Sequence, residues 1–564
     1  MQIIEQAIQA ICQELYDTAV SVQLARTDPE FGDFATNIAL QLAKPLGQNP
    51  RQIAQSIADQ LPADLEGIVT DATVAGPGFI NIRVSSSYAS GVLVKAVAEA
   101  PFKIYGASDS GLGQTVLCEF PCTNIAKPFS VGHIRSAVQG WAVHQLMRLM
   151  GYTVITDNHL GDYGTSFGKW VVGFLQYSSQ EQLAKDGIYE LSRVYIAITQ
   201  ALKDETAADG HELADEVQDW LKRLEAGDPQ AIAYSSQFKE ISLKHLHTVM
   251  DRLGISTEFE LGESFYIARG QELVNELVTK GIARESEGAI VVDLDEYGIK
   301  TPIIIRKANG AALYATSDLA TIEYRQTTWH PFKVFIHTGQ EQAFYFRQLK
   351  ALALKCGYED VIVHLWHGLV EQKHEDGSRG KMSSRQGVVL LEDLLDKAEA
   401  KATELMKEGD SDDSHAVAMG AIKFADFTGN RTNSTLFDWE TIFNVQGFSG
   451  PAVQYAAVRI ASILAKAEPD ASLDDNYDWQ SEHELIMKLL EFPQLLKVLH
   501  DNYELQKLAA YLYELARELN RYYETTPILK ATAGQGNKLW LLGVTQQVLT
   551  TGLSVLGIAV PKRM

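Results

Sequence analysis

The sequence predicts an α/β fold: a parallel sheet with helices on its faces, interrupted by a helical insertion, preceded by a smaller α+β region and followed by an all-helical one. Three observations carry this expectation. Thr115 to Ile155 reads as strand, loop, helix and strand, the pattern of a parallel crossover unit. Strands and helices alternate again from Phe259, through TPIIIRK, KVFIHTG and VIVHLWHG, so the sheet continues beyond an interruption. From Gln454 onward the pattern is helical, as in QYAAVRIASILAK and LQKLAAYLYELARELNRYYE.

A chain of 564 residues exceeds one hydrophobic core and suggests about three or four domains. Its 46% apolar and 21% charged content is ordinary for a soluble protein. No run of about 18 apolar residues occurs, which argues against a membrane span. The N-terminal MQIIEQAIQAICQEL places Ile4, Ile8, Ile11 and Leu15 at helical spacing among acidic residues, so it reads as a core helix rather than a signal peptide. Cys12, Cys118, Cys122 and Cys356 make no zinc set and suit buried thiols in a reducing cytoplasm. The net charge of −23, from 49 basic and 72 acidic residues, argues against an indiscriminate nucleic-acid binder but leaves local basic faces open.

Taken in order, residues 1 to about 105 mix helix and strand patterns. Two short strands are expected on either side of Gly76-Pro77-Gly78, with Phe79 and Asn81 on the face opposite Ile80 and Ile82. That face suits either packing or stacking on an unpaired base. The Gly- and Ser-rich stretch from Pro101 to Gly113 is the linker candidate. In the crossover unit an apolar strand, Thr115 to Phe120, gives way to a loop carrying Asn124, Lys127, Gly132 and His133. A helix follows with Ile134, Val138, Trp141, Ala142 and Leu146 on one face, then a second strand, Tyr152 to Ile155. A loop that opens a helix at the carboxyl end of a parallel strand offers N–H groups and positive dipole to a phosphate. Residues from about 180 to 255 are rich in helix formers and read as a packing insertion.

Two loops have the composition to handle a nucleoside triphosphate. One is Lys127 to His133; the other is Arg379 to Arg385, in EQKHEDGSRGKMSSRQG. Lys and His neutralise developing phosphate charge, Ser hydroxyls donate, and Gly permits close backbone approach. Neither loop has the spacing of a P-loop.

SVGH at Ser130–His133 resembles the HIGH signature of class I aminoacyl-tRNA synthetases, and KMSSR at Lys381–Arg385 resembles their KMSKS loop. FGDFATNIALQLAK, AGPGFINI, NIAKPFSVGHIRSA, NHLGDYGTSFG, LYATSDLAT, NRTNSTLFDW and the ending VPKRM narrow the resemblance to arginyl-tRNA synthetase, across nearly the whole chain. It implies an N-terminal additional domain over residues 1–110 and a Rossmann-like catalytic domain over 111–450, with an insertion at about 178–258. A helical anticodon-binding domain would then span 451–564. The activity implied is ATP-dependent activation of L-arginine, requiring bound tRNA, and transfer to tRNA(Arg). The expected enzyme is a cytoplasmic monomer without a structural metal, its Mg²⁺ arriving with ATP.

The resemblance also implies a site. ATP falls to Ser130, Gly132, His133, Lys381, Met382 and Ser384, with Lys127, His133, Lys381 and Ser383 in the catalytic roles. Two positions depart from the signatures, Ser130 for the first His and Ser384 for the second Lys. Lys127 stands where family members lacking that Lys carry one, and is expected to supply the missing charge. A guanidinium needs carboxylates placed for forked hydrogen bonds. Tyr314 and Asp318, four apart at a helix start, share a face, and Glu119, Asn124 and Gln342 complete the family's arginine site. Asp318, Tyr314 and Glu119 are expected at the guanidinium, and Asn124 and Gln342 at the α-amino or carboxylate end. Phe79 and Asn81 would read the D-loop of the tRNA. His159, Gly161, Asp162 and Gly164 suit either the active site or a structural turn. Another class I synthetase, a nucleotidylyltransferase or a non-catalytic tRNA-binding paralogue are the competing readings.

Overall fold

The computed structural model describes residues 2–125, 128–308, 310, 312–373, 379–381, 390–406, 410–467, 472–531 and 533–564. Lys127, Met382, Ser383 and Ser384 lie outside the described residues, and Lys381 is described by its backbone alone. The chain forms two compact units. One comprises Met1–Ala107, Arg459–Lys497 and Glu514–Leu549, and the other Ser108–Val458, Val498–Tyr513 and Thr550–Met564.

In the first unit the helix Gln2–Tyr16 buries Ile4, Ile8 and Ile11, the stripe expected of it. Strands Val69–Ala75 and Phe79–Val84 form a hairpin within a four-stranded antiparallel sheet. Its turn needs glycine, because Gly76 and Gly78 take φ of +53° and +140°. Ile80 and Ile82 are fully buried. On the opposite face Phe79 is 40% exposed, whereas Asn81, between Ala35 and Thr73 on the flanking strands, retains 9%.

The second unit holds the parallel sheet. Its elements are β1 (Thr115–Glu119), α1 (Ile134–Leu149) and β2 (Thr153–Asp157), then the insertion, which ends in α2 (Pro229–Arg252). There follow α3 (Glu263–Thr279), α4 (Tyr314–Thr328), β3 (Lys333–Ile336), β4 (Ile362–His364), α5 (Leu391–Leu405) and α6 (Ser411–Asp426). The strand order is β4-β3-β1-β2 with every pair parallel. Glu119 pairs with Ile336 and Asp157, so the carboxyl ends of three strands meet at one edge. No helix among the described residues is long and apolar enough to cross a membrane.

Helix α1 departs from its one-face pattern. Arg135, Ser136 and Gln139 are buried along with Ile134, Val138, Ala142 and Leu146, while Trp141 is only partly covered. The helix is enclosed on more than one side: a Cβ at Gly140 would stand 2.5 Å from Phe120, and Arg135 Nε donates to Asp426 of α6 at 2.5 Å. Gln139 donates to the same carboxylate at 2.6 Å and Thr435 at 3.3 Å. Arg135 also donates to the Asn433 carbonyl at 2.8 Å, giving NRTNSTLFDW a structural role. Asp426→Ala leaves a buried guanidinium unpaired and is expected to cost about 3–5 kcal/mol. The midpoint of urea unfolding measures this, and a loss below about 1 kcal/mol would contradict it.

Candidate active site

A cleft of about 380 Å³ opens at the carboxyl ends of β1 and β3, the place where a parallel sheet leaves room for a ligand. Glu119, Asn124, Tyr314, Asp318 and Gln342 all line it. Each arrives on a different local device. Glu119 ends β1, and Asn124 sits in the following loop, bridged to Gly161. Tyr314 and Asp318 occupy the first turns of α4, whose start is fixed by Thr316: its hydroxyl accepts from Leu313 N–H at 2.9 Å and donates to the Ile305 carbonyl at 2.6 Å. Gln342 lies in the short turn after β3.

The electrostatics of the cleft centre on two carboxylates. Asp318 accepts a hydrogen bond from the Tyr345 hydroxyl on one oxygen. Its other oxygen lies 3.3 Å from His159 Nε2. Burial alone would lower the pKa of His159, but Asp318 and the Glu119 charge outweigh it and raise the ring to about 9. Glu119 is bound differently. Arg325 donates one Nη to it and the other to Asp157 at 2.8 Å. These two acids keep Arg325 protonated against the burial that would discharge it, and two carboxylates against one guanidinium leave a net negative charge. Glu263, at the start of α3, is buried on the same wall; burial and then Asp318 push its carboxyl up to about 8. At neutral pH it is a protonated acid facing the cleft.

NHLGDYG separates into parts. His159 and Gly161 line the cleft, and Gly161 leaves room for the Asn124 side chain, because a Cβ there would lie 2.0 Å from Asn124 Oδ1 and turn it aside. Asp162 is structural. Its carboxylate accepts from Ser264 N–H at 2.9 Å, Ser264 Oγ at 2.7 Å and Lys239 Nζ at 2.7 Å, capping α3 and thereby fixing Glu263. Gly164 precedes the helix Thr165–Tyr177 with φ of +100°. Sequence reasoning missed Glu263, Arg325 and Tyr345. Arg325 had a signal, since it lies seven residues after Asp318 on α4 and so on the same face; Glu263 and Tyr345 are brought in only by the packing of α3 and of the helix after Gln342.

The second group of predicted residues lies at the start of α1. His133 Nδ1 accepts from Ser130 N–H at 3.2 Å and lies 3.0 Å from Ser130 Oγ. The neutral ring therefore carries its proton on Nε2. The ring of Phe129 stacks on His133 at 5.3 Å, and Gly132 is exposed beside it. Ser130, the departure from the signature, thus turns its hydroxyl onto His133. Phe79 and Asn81 belong to the other compact unit.

A parallel sheet with an acidic cleft at its carboxyl edge and an SVGH turn at the start of the following helix is the arrangement expected of a class I aminoacyl-tRNA synthetase. Family models describe the same chain as "tRNA synthetases class I (R), catalytic domain" over residues 103–439, "DALR anticodon binding domain" over 453–564 and "Arginyl tRNA synthetase N terminal domain" over 1–84. An arginine–tRNA ligase of Streptococcus thermophilus is 36% identical over 95% of this chain and 94% of its own length, and one from an Exiguobacterium species is 36% identical over 93% and 92%. The chain belongs to the arginyl-tRNA synthetase family, and its activity is that of an arginine–tRNA ligase. A solved arginyl-tRNA synthetase of Thermus thermophilus, 23% identical, shares its fold with a TM-score of 0.79 over all of both chains.

Proposed function

We propose that the cleft seats L-arginine with its guanidinium at Asp318. The observation that supports this reading is Asp318 itself, a carboxylate recessed among Tyr314, Tyr345, Glu119 and Glu263. Asn124 and Gln342 hold the α-amino and carboxylate end. Glu119, already bound by Arg325, acts mainly through the net negative charge of its cluster. The arginine carboxylate attacks the α-phosphate of ATP in line and expels pyrophosphate, and the arginyl group then moves to the terminal ribose of the tRNA.

ATP lies along Ser130, Gly132 and His133, with Lys381, Met382 and Ser384 as its further contacts, Ser383 in a catalytic role and Mg²⁺ held mainly by its phosphates. His133, with its proton on Nε2, donates to developing phosphate charge, and Lys127 supplies the cation that Ser384 does not. Positioning and charge stabilisation carry the rate, with little need for a protein base. Residues 1–110 reach the D-loop through Phe79 and Asn81, residues 451–564 the anticodon, and arginine is activated once tRNA(Arg) is bound. The enzyme works as a cytoplasmic monomer.

Incubating the enzyme with ATP, total tRNA and each amino acid in turn tests the reading. Arginine alone should be charged; charging of another amino acid, or none, overturns it. The protonated Glu263 adds a pH dependence. As pH rises through 8 the carboxyl ionises and the cleft gains a negative charge, so the KM for arginine should fall between pH 7 and 9. Loss of the His159 proton near pH 9 acts in the same direction. Glu263→Gln should flatten the lower part of this profile, and a profile identical to wild type would contradict the assignment.

A further inference from the structure

We infer that His245, on the helical insertion, is a positioning residue for the ATP-binding turn, an inference that rests on assigning Ser130–His133 to ATP. Its imidazole touches two segments that are far apart in sequence. Nε2 accepts a hydrogen bond from Phe129 N–H at 3.2 Å. Nδ1 lies 3.6 Å from Glu392 in the first turn of α5, the helix that begins where the chain returns after KMSSR. The other oxygen of Glu392 accepts from the Tyr189 hydroxyl. Tyr189 also belongs to the insertion, and its ring meets that of His245 edge-on at 5.9 Å.

The two segments are joined to each other as well. Leu391 N–H donates to the Phe129 carbonyl at 3.0 Å, and Ser130 bridges to Leu390. The Phe129 residue is therefore held from both sides, by the insertion through its N–H and by α5 through its C=O. Its side chain is buried and stacks on His133. A displacement of Phe129 would be passed to the His133 ring directly. Further along the same two helices, Arg252 of α2 pairs with Asp396 at 2.7 Å and Glu399 at 3.2 Å, which fixes α2 against α5 and gives His245 a rigid base.

Histidine suits this position. Phe129 N–H needs an acceptor, which the neutral imidazole supplies on Nε2 while its Nδ1 faces Glu392 at 3.6 Å. Burial lowers the pKa of His245 against the opposing pull of Glu392, which favours the neutral ring. Alanine supplies neither group and leaves a covered backbone N–H unpaired. Glutamine supplies both, with an amide oxygen for Phe129 and an NH₂ for Glu392.

The test is ATP–pyrophosphate exchange with arginine and tRNA present, run on the full-length enzyme. His245→Ala should lose about ten- to a hundredfold in kcat/KM for ATP, with the KM for arginine within about twofold of wild type. His245→Gln should recover most of the loss. If the alanine variant does not fold, as judged by thermal melting, His245→Leu replaces it, being of similar size without polar atoms. Unchanged kinetics toward ATP in the alanine or leucine variant overturn the role, as does a parallel rise in the KM for arginine that glutamine fails to reverse. A wild-type enzyme without arginine-dependent exchange would instead overturn the underlying assignment.

Discussion

Asp318→Asn is expected to raise the KM for arginine by about a hundredfold, with the KM for ATP changed by less than about threefold. The substitution keeps size and shape but removes the charge that a guanidinium needs. Truncating one partner of a desolvated, hydrogen-bonded charge pair costs about 2–5 kcal/mol, and a hundredfold lies within that range. The surroundings sharpen the effect. Tyr345 donates to one oxygen of Asp318, and His159 faces the other, so an amide in its place offers one acceptor fewer and turns an NH₂ toward a donor. Steady-state charging at varied arginine reads the result, and an unchanged KM would remove Asp318 from the guanidinium site.

Lys127→Ala is expected to lower the rate of arginine-dependent pyrophosphate exchange, with tRNA present, by about 10²–10³-fold. That is the scale on which enzymes lose rate when one preorganised group facing transition-state charge is removed. The expectation follows from the two signatures jointly. Where the second Lys of a KMSKS loop would stand, this chain has Ser384, and the nearest compensating cation before SVGH is Lys127. Near-normal exchange in the variant would sink the compensation. Lys127→Arg, which restores charge without the compact ammonium, should recover part of the rate.

The sheet was legible because its strands are short apolar runs bounded by turn residues. The segments KVFIHTG and VIVHLWHG became β3 and β4, and the two strands of the crossover unit shifted only at their ends, Tyr152–Ile155 becoming Thr153–Asp157. Helix α1 was read as one-faced because periodicity records apolar residues alone. Its buried polar residues, Arg135 and Gln139, are compatible with burial only through Asp426, which lies 291 residues from Arg135, and no local pattern announces a partner so distant.

What the sequence by itself determined is the order of the elements, the two signature segments and, through the family resemblance they carry, five residues that the fold brings to one cleft. Local patterning and motifs are written in short windows, and the resemblance those motifs carry implies which residue types should meet at a guanidinium. The tertiary structure decided how those residues are charged and held. It pairs Glu119 with Arg325, lays His159 and Tyr345 against Asp318, and buries Glu263 until its carboxyl holds a proton. It also gave His245, a residue inside what reads as a packing helix, contact with both Phe129 and Glu392. These outcomes depend on burial and on distances of a few ångströms between segments far apart in the chain, and both arise only when the helices pack onto the sheet.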